Sequence, residues 1–337
     1  MKTNDIPKEA SENGAIFDSY VKAKSVLEKH ENAMCSISGG ADSDIVMDII
    51  ARLDADHCVD YVWYNTGLEY KATKDHLDYL EDRYGVKIKR EKALKSIPTC
   101  CKEYGQPFIS KSISSKLAQL QRHNFQWEIA STDALMGRYD RCKDSIYWWN
   151  NENGKNIVNG KQINVNRFNI ALYEYLKEYI ISTPPQFQIS SVCCEWSKKK
   201  TAKHVQKGYD LAIVGIRKAE GGIRSTTYKN CYEFSNTYNV QYYRPIFWYK
   251  SKDKKEYKKL FDIKNSDCYE VWGFDRTGCV GCPFSKYLER DLAIVQQYEP
   301  QLYKACNNVF KDSYEYTKKY HEFRDDMKER EKFKAIK

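Results

Sequence analysis

The chain contains no run of about eighteen apolar residues that could cross a bilayer. Its opening stretch, MKTNDIPKEASENG, lacks the apolar segment of a signal peptide. Neither a membrane span nor a membrane partner is therefore expected, and the expected location is the cytoplasm. No internal repeat and no low-complexity block occurs, which argues against a repeat array. A Walker phosphate loop is missing too, since no Gly-Lys-Ser/Thr follows a glycine turn at the required spacing.

What is present suffices for a core. The 337 residues are 42% apolar, enough for one large domain or two ordinary ones. The net charge of +9 is unevenly spread, with one cluster at Lys198, Lys199, Lys200, Lys203 and Lys207 and another from Lys250 to Lys259. Such clusters are either solvated surface or the footprint of a polyanionic partner. Twelve cysteines in a reducing compartment point away from disulfides and toward metal or redox chemistry.

Periodicity sets the order of elements. An amphipathic lead-in helix is predicted over Ile16 to Lys29, a strand over Ala33 to Ser38, and a helix after Ser43, where Ile45, Val46, Ile49, Ile50 and Leu53 recur at helical spacing. Strands are predicted at Cys58 to Tyr64, Val86 to Arg90 and Leu211 to Ile216, with a helix from Ala72 to Tyr84. This alternation predicts an α/β fold with a parallel sheet between helices. Asn159-Gly160, inside the Asn-rich segment Tyr147 to Asn166, predicts an inserted hairpin or lid. The tail from Lys286 reads as helical and is broken near Pro300.

The corner Ser38-Gly39-Gly40-Ala41-Asp42-Ser43 joins the first strand to its helix. A helix N-terminus offers unpaired N–H groups and the positive end of the helix dipole, and glycines let a phosphate approach the backbone. Ser38 and Ser43 add hydroxyls, whereas Asp42 suits an anion site if it faces a nucleotide-borne Mg2+. The alternative is a capped turn that binds nothing. A second signal is Cys193-Cys194, answered by Cys279 and Cys282 in a CxxC. Four thiolates suit a [4Fe-4S] cluster or a zinc ion. An adjacent pair, and Pro283 after the last cysteine, favour the cluster, and pairs that hold no metal are the third reading.

Ser-Gly-Gly-x-Asp-Ser after the first strand resembles the PP-loop of ATP pyrophosphatases, and with the CC and CxxC set it resembles iron-sulfur members of the phosphoadenylyl-sulfate reductase family, of the phage or prophage type. The resemblance implies a five-stranded parallel sheet of the adenine nucleotide alpha hydrolase-like type. The nucleotide-binding domain would span residues 1–235, and a smaller, mainly helical module 236–337. Ser38, Gly39, Gly40, Asp42 and Ser43 would bind the phosphates of ATP or an adenylylated nucleotide, with Mg2+. Thr66, Gly67 and Glu69 in YNTGLEY would border the nucleotide, although Asn65 stands where the family has Asp. VGIRKAEGGIRS would place Gly215, Arg217, Glu220 and Arg224 at a strand end, with Arg217 and Arg224 clamping an anion and Lys111 assisting. Cys193, Cys194, Cys279 and Cys282 would hold a [4Fe-4S] cluster.

Reductases of the family attack sulfur with a cysteine in a C-terminal Glu-Cys-Gly-Leu-His tail, and RDDMKEREKFKAIK offers none. The expectation is therefore an ATP pyrophosphatase or adenylating sulfurtransferase, by analogy with the iron-sulfur enzyme of DNA phosphorothioation. A nucleic-acid acceptor and a cysteine desulfurase as sulfur donor would go with that activity. A sulfonucleotide reductase with an internal cysteine, and a metal-stapled nucleic-acid-binding protein without activity, are the alternatives. Cys100 and Cys101 are candidate persulfide carriers or plain loop thiols.

Overall fold

The computed structural model describes residues 1–152, 155–158, 161–164 and 169–336, and side chains are described except at 153–168, 222–224 and 333–337. The strands are β1 Ala33–Ile37, β2 Asp60–Asn65, β3 Ile88–Lys92, β4 Lys155–Val158, β5 Lys161–Asn164, β6 Leu211–Val214, β7 Tyr232–Ser235 and β8 Val240–Tyr243. The chain divides into two compact units, Met1–Ser96 with Trp196–Val280, and Ile97–Glu195 with Gly281–Lys337. The boundary expected at residue 235 is a different division from this one.

The first unit is an α/β sandwich. Its sheet has six strands in the order β3-β2-β1-β6-β8-β7. Five of them run parallel as expected, and β7 pairs antiparallel with β8 to form an edge that periodicity did not reveal. The reason is local: β7 is mostly exposed, so it carries no apolar run to mark it.

Helix Ala41–Leu53 packs behind β1, and the five apolar positions of the predicted stripe are all fully buried. They share one core with Leu211 and Ile213 of β6 and with Ile16 and Tyr20 of helix Gly14–Leu27. Fully burying each such aliphatic side chain contributes about 1.5–3 kcal/mol before chain entropy is set against it. Asp48, on the same helix, is buried, yet it accepts hydrogen bonds from Tyr257 at 2.6 Å, Tyr84 at 2.7 Å and Arg52 at 2.8 Å. A buried carboxylate with three donors is satisfied, so it fixes this face of the helix without an open charge.

The second unit is mainly helical, with an aromatic core that includes Phe108, Trp148, Trp149, Tyr179 and Tyr316. Helices Leu288–Tyr298, Pro300–Val309 and Lys311–Ile336 form the predicted helical tail, and Pro300 opens a helix at its first position, where a missing N–H costs nothing. β4 and β5 form the predicted antiparallel pair, with Val158 opposite Lys161. The turn residues Asn159 and Gly160 lie outside the described residues. Among the described residues no helix is long and apolar enough to cross a membrane.

Candidate nucleotide and thiol sites

The corner after β1 is a tight loop whose glycines are required one by one. Gly39 has φ +65°, a left-handed conformation that side chains with a Cβ rarely adopt, and a Cβ there would lie 2.6 Å from Thr73 Cγ2. Gly40 caps helix Ala41–Leu53, and a Cβ on it would stand 3.2 Å from both Ser38 Oγ and the Tyr269 hydroxyl. Ser43 ties the loop from inside. Its hydroxyl donates to the Gly40 carbonyl at 2.8 Å and accepts from Gly40 N–H at 3.1 Å, Ser38 Oγ at 3.1 Å and Ser38 N–H at 3.3 Å. That hydroxyl holds the loop's own shape. Gly215, at the end of β6, lets the strand lie against the helix start, since a Cβ would meet Ser43 Cα and N at 3.3 Å.

The loop forms one wall of a cavity of about 500 Å3 within the first unit. Ser38, Gly40, Asp42, Ser43, Thr66, Glu69, Gly215, Arg217 and Glu220, all named by the sequence, line it. So do Lys198, Lys199, Lys254, Tyr269, Arg276 and Thr277. Five cationic side chains thus line a cavity at a helix N-terminus, together with the carboxyl groups of Asp42, Glu69, Glu220 and Asp275.

Asp42 organises two of these cations. Arg217 Nε donates to its Oδ2 at 2.8 Å, and Lys254 Nζ lies 2.7 Å from its Oδ1. Burial acts to raise the Asp42 pKa, but Lys254 and Arg217 outweigh it and hold the carboxyl below its ordinary value. Both Asp42 oxygens are turned to cations of the chain. Its neighbour Asp44 is fully buried, accepting from Asn265 Nδ2 at 2.7 Å with His76 Nε2 at 3.0 Å.

On the facing wall, Thr66 Oγ1 donates to Glu69, and Gly67 N–H donates to Asn65 Oδ1 at 2.9 Å. Asn65 thus keeps the turn-forming acceptor that an Asp would supply. Burial raises the Glu69 pKa, with Lys198 and Thr66 pulling it down only in part. Cys279 also belongs to this unit, its Sγ 3.9 Å from Thr66 Oγ1. Tyr269 and Thr277 share a hydrogen bond of 2.8 Å.

The remaining expected thiols lie in the second unit. Cys193 shares hydrogen bonds with Cys101 and Cys194, and Cys282 is close enough to act on it electrostatically. The bond to Cys101, together with burial and against the opposite effect of Cys194, pushes the Cys193 thiol up to about 12. No disulfide links the cysteines. Among the described residues no three or more His, Cys, Asp or Glu side chains close around a position for a metal ion. Zinc would need every sulfur about 2.3 Å from one point, whereas a cubane spreads its irons and needs a wider cage. The donor set of soft thiols suits the cluster in kind. Lys111 opens helix Lys111–Arg122 of this second unit, and the Arg224 side chain lies outside the described ones.

With loop and cavity in place, the chain can be compared with known proteins. Residues 32–126 match the phosphoadenosine phosphosulfate reductase domain. The matched domain takes in β1 to β3 and the whole glycine corner. No curated protein matches the chain in sequence. Among solved structures it is similar to the phosphoadenylyl-sulfate (PAPS) reductase from Candida auris in its phosphate complex, at 12% identity over 82% of this chain and 97% of that one, with a TM-score of 0.42. It is also similar to the U34-tRNA thiolase NcsA from Methanococcus maripaludis with its [4Fe-4S] cluster, at 11% identity over 96% and 82%, with a TM-score of 0.39.

Sequence reasoning missed Lys254, Tyr269 and Thr277 as cavity residues, and it named Cys101 only as a candidate persulfide carrier or plain loop thiol, not as a partner of Cys193. Lys254 was visible only as one lysine in a run, because the helical phase that points it inward depends on Tyr257, three residues on, being buried. Tyr269 and Thr277 carry no local signal.

Proposed function

We propose that this chain is an adenine-nucleotide-binding PP-loop enzyme that uses ATP to activate an acceptor oxygen for replacement by sulfur. The observation that carries the reading is the single cavity that joins the Ser38–Ser43 loop, Arg217 and Lys254. In the first step the acceptor oxygen attacks the α-phosphorus, the bond to the β-phosphate oxygen breaks, and pyrophosphate leaves. Negative charge grows on that leaving group, where Arg217, Lys254 and the loop N–H groups stabilise it. The two cations held by Asp42 are then shared with the phosphates. Magnesium would enter on the nucleotide's own phosphates. In the second step a sulfur nucleophile displaces AMP, which carries the original oxygen away.

A [4Fe-4S] cluster, when bound, would supply a site for carrying sulfur or a rigid staple for the thiol segments. Cys193, Cys194 and Cys282 would hold it, with Cys279 as the fourth ligand implied by the motif. A nucleic acid fits as acceptor: the second unit has a cavity of about 980 Å3 in which Tyr173, Tyr287 and Tyr320 stand among Lys286, Arg290, Lys318 and Arg324. Aromatic rings and cations interleaved in this way suit stacked bases and a phosphate backbone. A cysteine desulfurase would be the sulfur-donor protein.

Release of pyrophosphate from ATP in the presence of sulfide and nucleic acid tests the reading. Release should occur with wild type and fall at least tenfold in Gly40→Ala. Nucleic-acid binding with no ATP turnover would overturn it in favour of a non-catalytic binding protein.

One observation favours a second reading, a sulfonucleotide reductase. Cys279 stands beside Thr66, and its neighbour Gly278 lines the nucleotide cavity. Its thiolate could attack the sulfur of adenylylsulfate, releasing AMP, after which an external dithiol would reduce the S-sulfocysteine and free sulfite. Sulfite formed from adenylylsulfate and a dithiol, and lost in Cys279→Ser, would select this reading.

A further inference from the structure

We propose that Cys101 is a ligand of the iron-sulfur cluster, completing with Cys193, Cys194 and Cys282 a four-thiol set built wholly within the second unit. This rests on the cluster reading above and changes which sulfurs hold it.

The chain brings Cys101 to Cys193 by two separate constraints. Cys101 sits on helix Ile97–Tyr104 and is buried. That helix ends at Gly105, whose φ of +101° and lack of a Cβ allow contact with the Gln188 carbonyl, which any side chain would overlap. The segments then pair: Gln106 N–H donates to Gln188 O at 2.8 Å, and Ser190 N–H donates to Gln106 O at 2.9 Å. Gln106 follows Cys101 by five residues and Gln188 precedes Cys193 by five, so this clamp fixes the approach of the two cysteines. They meet in the hydrogen bond that Cys193 shares with Cys101.

The Cys282 side is fixed independently. Gly281 has φ +59°, and a Cβ on it would lie 2.7 Å from Cys306 Sγ. The Tyr314 hydroxyl donates to the Gly281 carbonyl, tying the residue before Cys282 to helix Lys311–Ile336. Two glycines that tolerate no side chain thus hold the backbone on both sides of the thiol group. Cys100, the other member of the adjacent pair, is also buried, but Cys193 hydrogen-bonds to Cys101. On this reading the Cys279 sulfur, next to Thr66 in the nucleotide-binding unit, is not needed as a ligand.

The test uses the full chain purified without oxygen, with iron and acid-labile sulfide measured and the visible and dithionite-reduced EPR spectra recorded. Wild type should carry about four irons and four sulfides. Cys101→Ala should lose at least five-fold in iron, as Cys193→Ala does. Cys100→Ala removes the same atoms from the neighbouring buried position, and it should keep the wild-type content. Iron and spectra unchanged in Cys101→Ala would overturn the proposal. So would an equal loss in Cys100→Ala, which would trace the effect to helix packing, or an iron-free Cys279→Ala beside an iron-replete Cys101→Ala. A wild-type protein without iron would instead end the cluster reading itself.

Discussion

Arg217 Nε donates to Asp42 Oδ2 at 2.8 Å across 175 residues of sequence, joining the end of β6 to the first turn of the helix that follows β1. The pair is mostly sheltered, with side-chain exposures of 11% and 15%. Parallel neighbours β1 and β6 bring both residues to the same end of the sheet, where ligands bind in open α/β folds. The ion pair therefore latches the end of β6 to the glycine corner at the wall of the cavity that both residues line.

Replacing Asp42 with Ala releases Arg217 and Lys254 together. The variant should lose about 1–3 kcal/mol of stability, since charged hydrogen bonds are lost and two cations are left facing each other. The contribution has a definite pH sign. The carboxyl's folded pKa lies below its unfolded value of about 3.9, so its stabilisation is present above that value and is lost as pH falls through the folded one. Thermal melts of wild type and Asp42→Ala should converge under acid conditions and separate near neutrality; a constant gap across the acid limb would contradict the latch.

Gly215→Ala places a methyl group 3.3 Å from Ser43 Cα and N. Neither partner is the flexible end of a side chain, so β6 or the loop helix must move. Overpacking of this kind costs roughly 1–3 kcal/mol, and the displaced helix start should weaken ATP binding. Calorimetric titration with ATP would show it. Unchanged affinity together with an unchanged melting temperature would mean that the strand end yields without effect.

Gly39→Ala combines a left-handed backbone with a 2.6 Å approach to Thr73 Cγ2. The two costs can be separated, because Thr73→Ser removes that methyl and nothing else nearby. The single variant should lose more than the roughly 1–2 kcal/mol of the backbone term alone. The double variant with Thr73→Ser should recover part of the loss, and a double-mutant cycle from urea denaturation measures the recovered part. Strict additivity would mean that the methyl contact is not felt.

The legible parts of this protein are those written in short stretches of sequence. The stripe Ile45, Val46, Ile49, Ile50 and Leu53 marks its helix because local periodicity directly records which face is buried. Ser38 to Ser43 is legible because so tight a strand-to-helix turn needs small residues at consecutive positions. Lys254 and Tyr269 reach the same cavity from distant segments, and nothing near them in sequence encodes that destination. The thiols show both cases: adjacency and CxxC spacing announce Cys193, Cys194, Cys279 and Cys282, whereas Cys101 meets Cys193 only through the Gly105 and Gln188 contact. Five parallel strands follow from alternation, yet exposed β7 needed pairing with β8 to be recognised at all.

Glu69 should make stability fall as pH rises, the opposite of Asp42. Its side chain is buried in the cavity wall, and that burial raises its pKa above the ordinary glutamate value despite Lys198 and the hydroxyl of Thr66. A carboxyl that binds its proton more tightly when folded favours the folded state below its unfolded pKa of about 4.3, and this favour is lost as pH rises through the folded value. At neutral pH the ionised group weighs against folding. Glu69→Gln keeps an oxygen to accept the Thr66 hydrogen bond and removes the charge. Relative to wild type, the variant should therefore gain melting temperature between pH 5 and pH 8, and it should match wild type near pH 4. Parallel melting curves for the two proteins over that range would show that Glu69 is not held as a raised carboxyl. ATP binding measured on the same variant separates charge from shape: retained or tighter affinity is expected, because a negative group facing the phosphates has been removed while the wall keeps its contour.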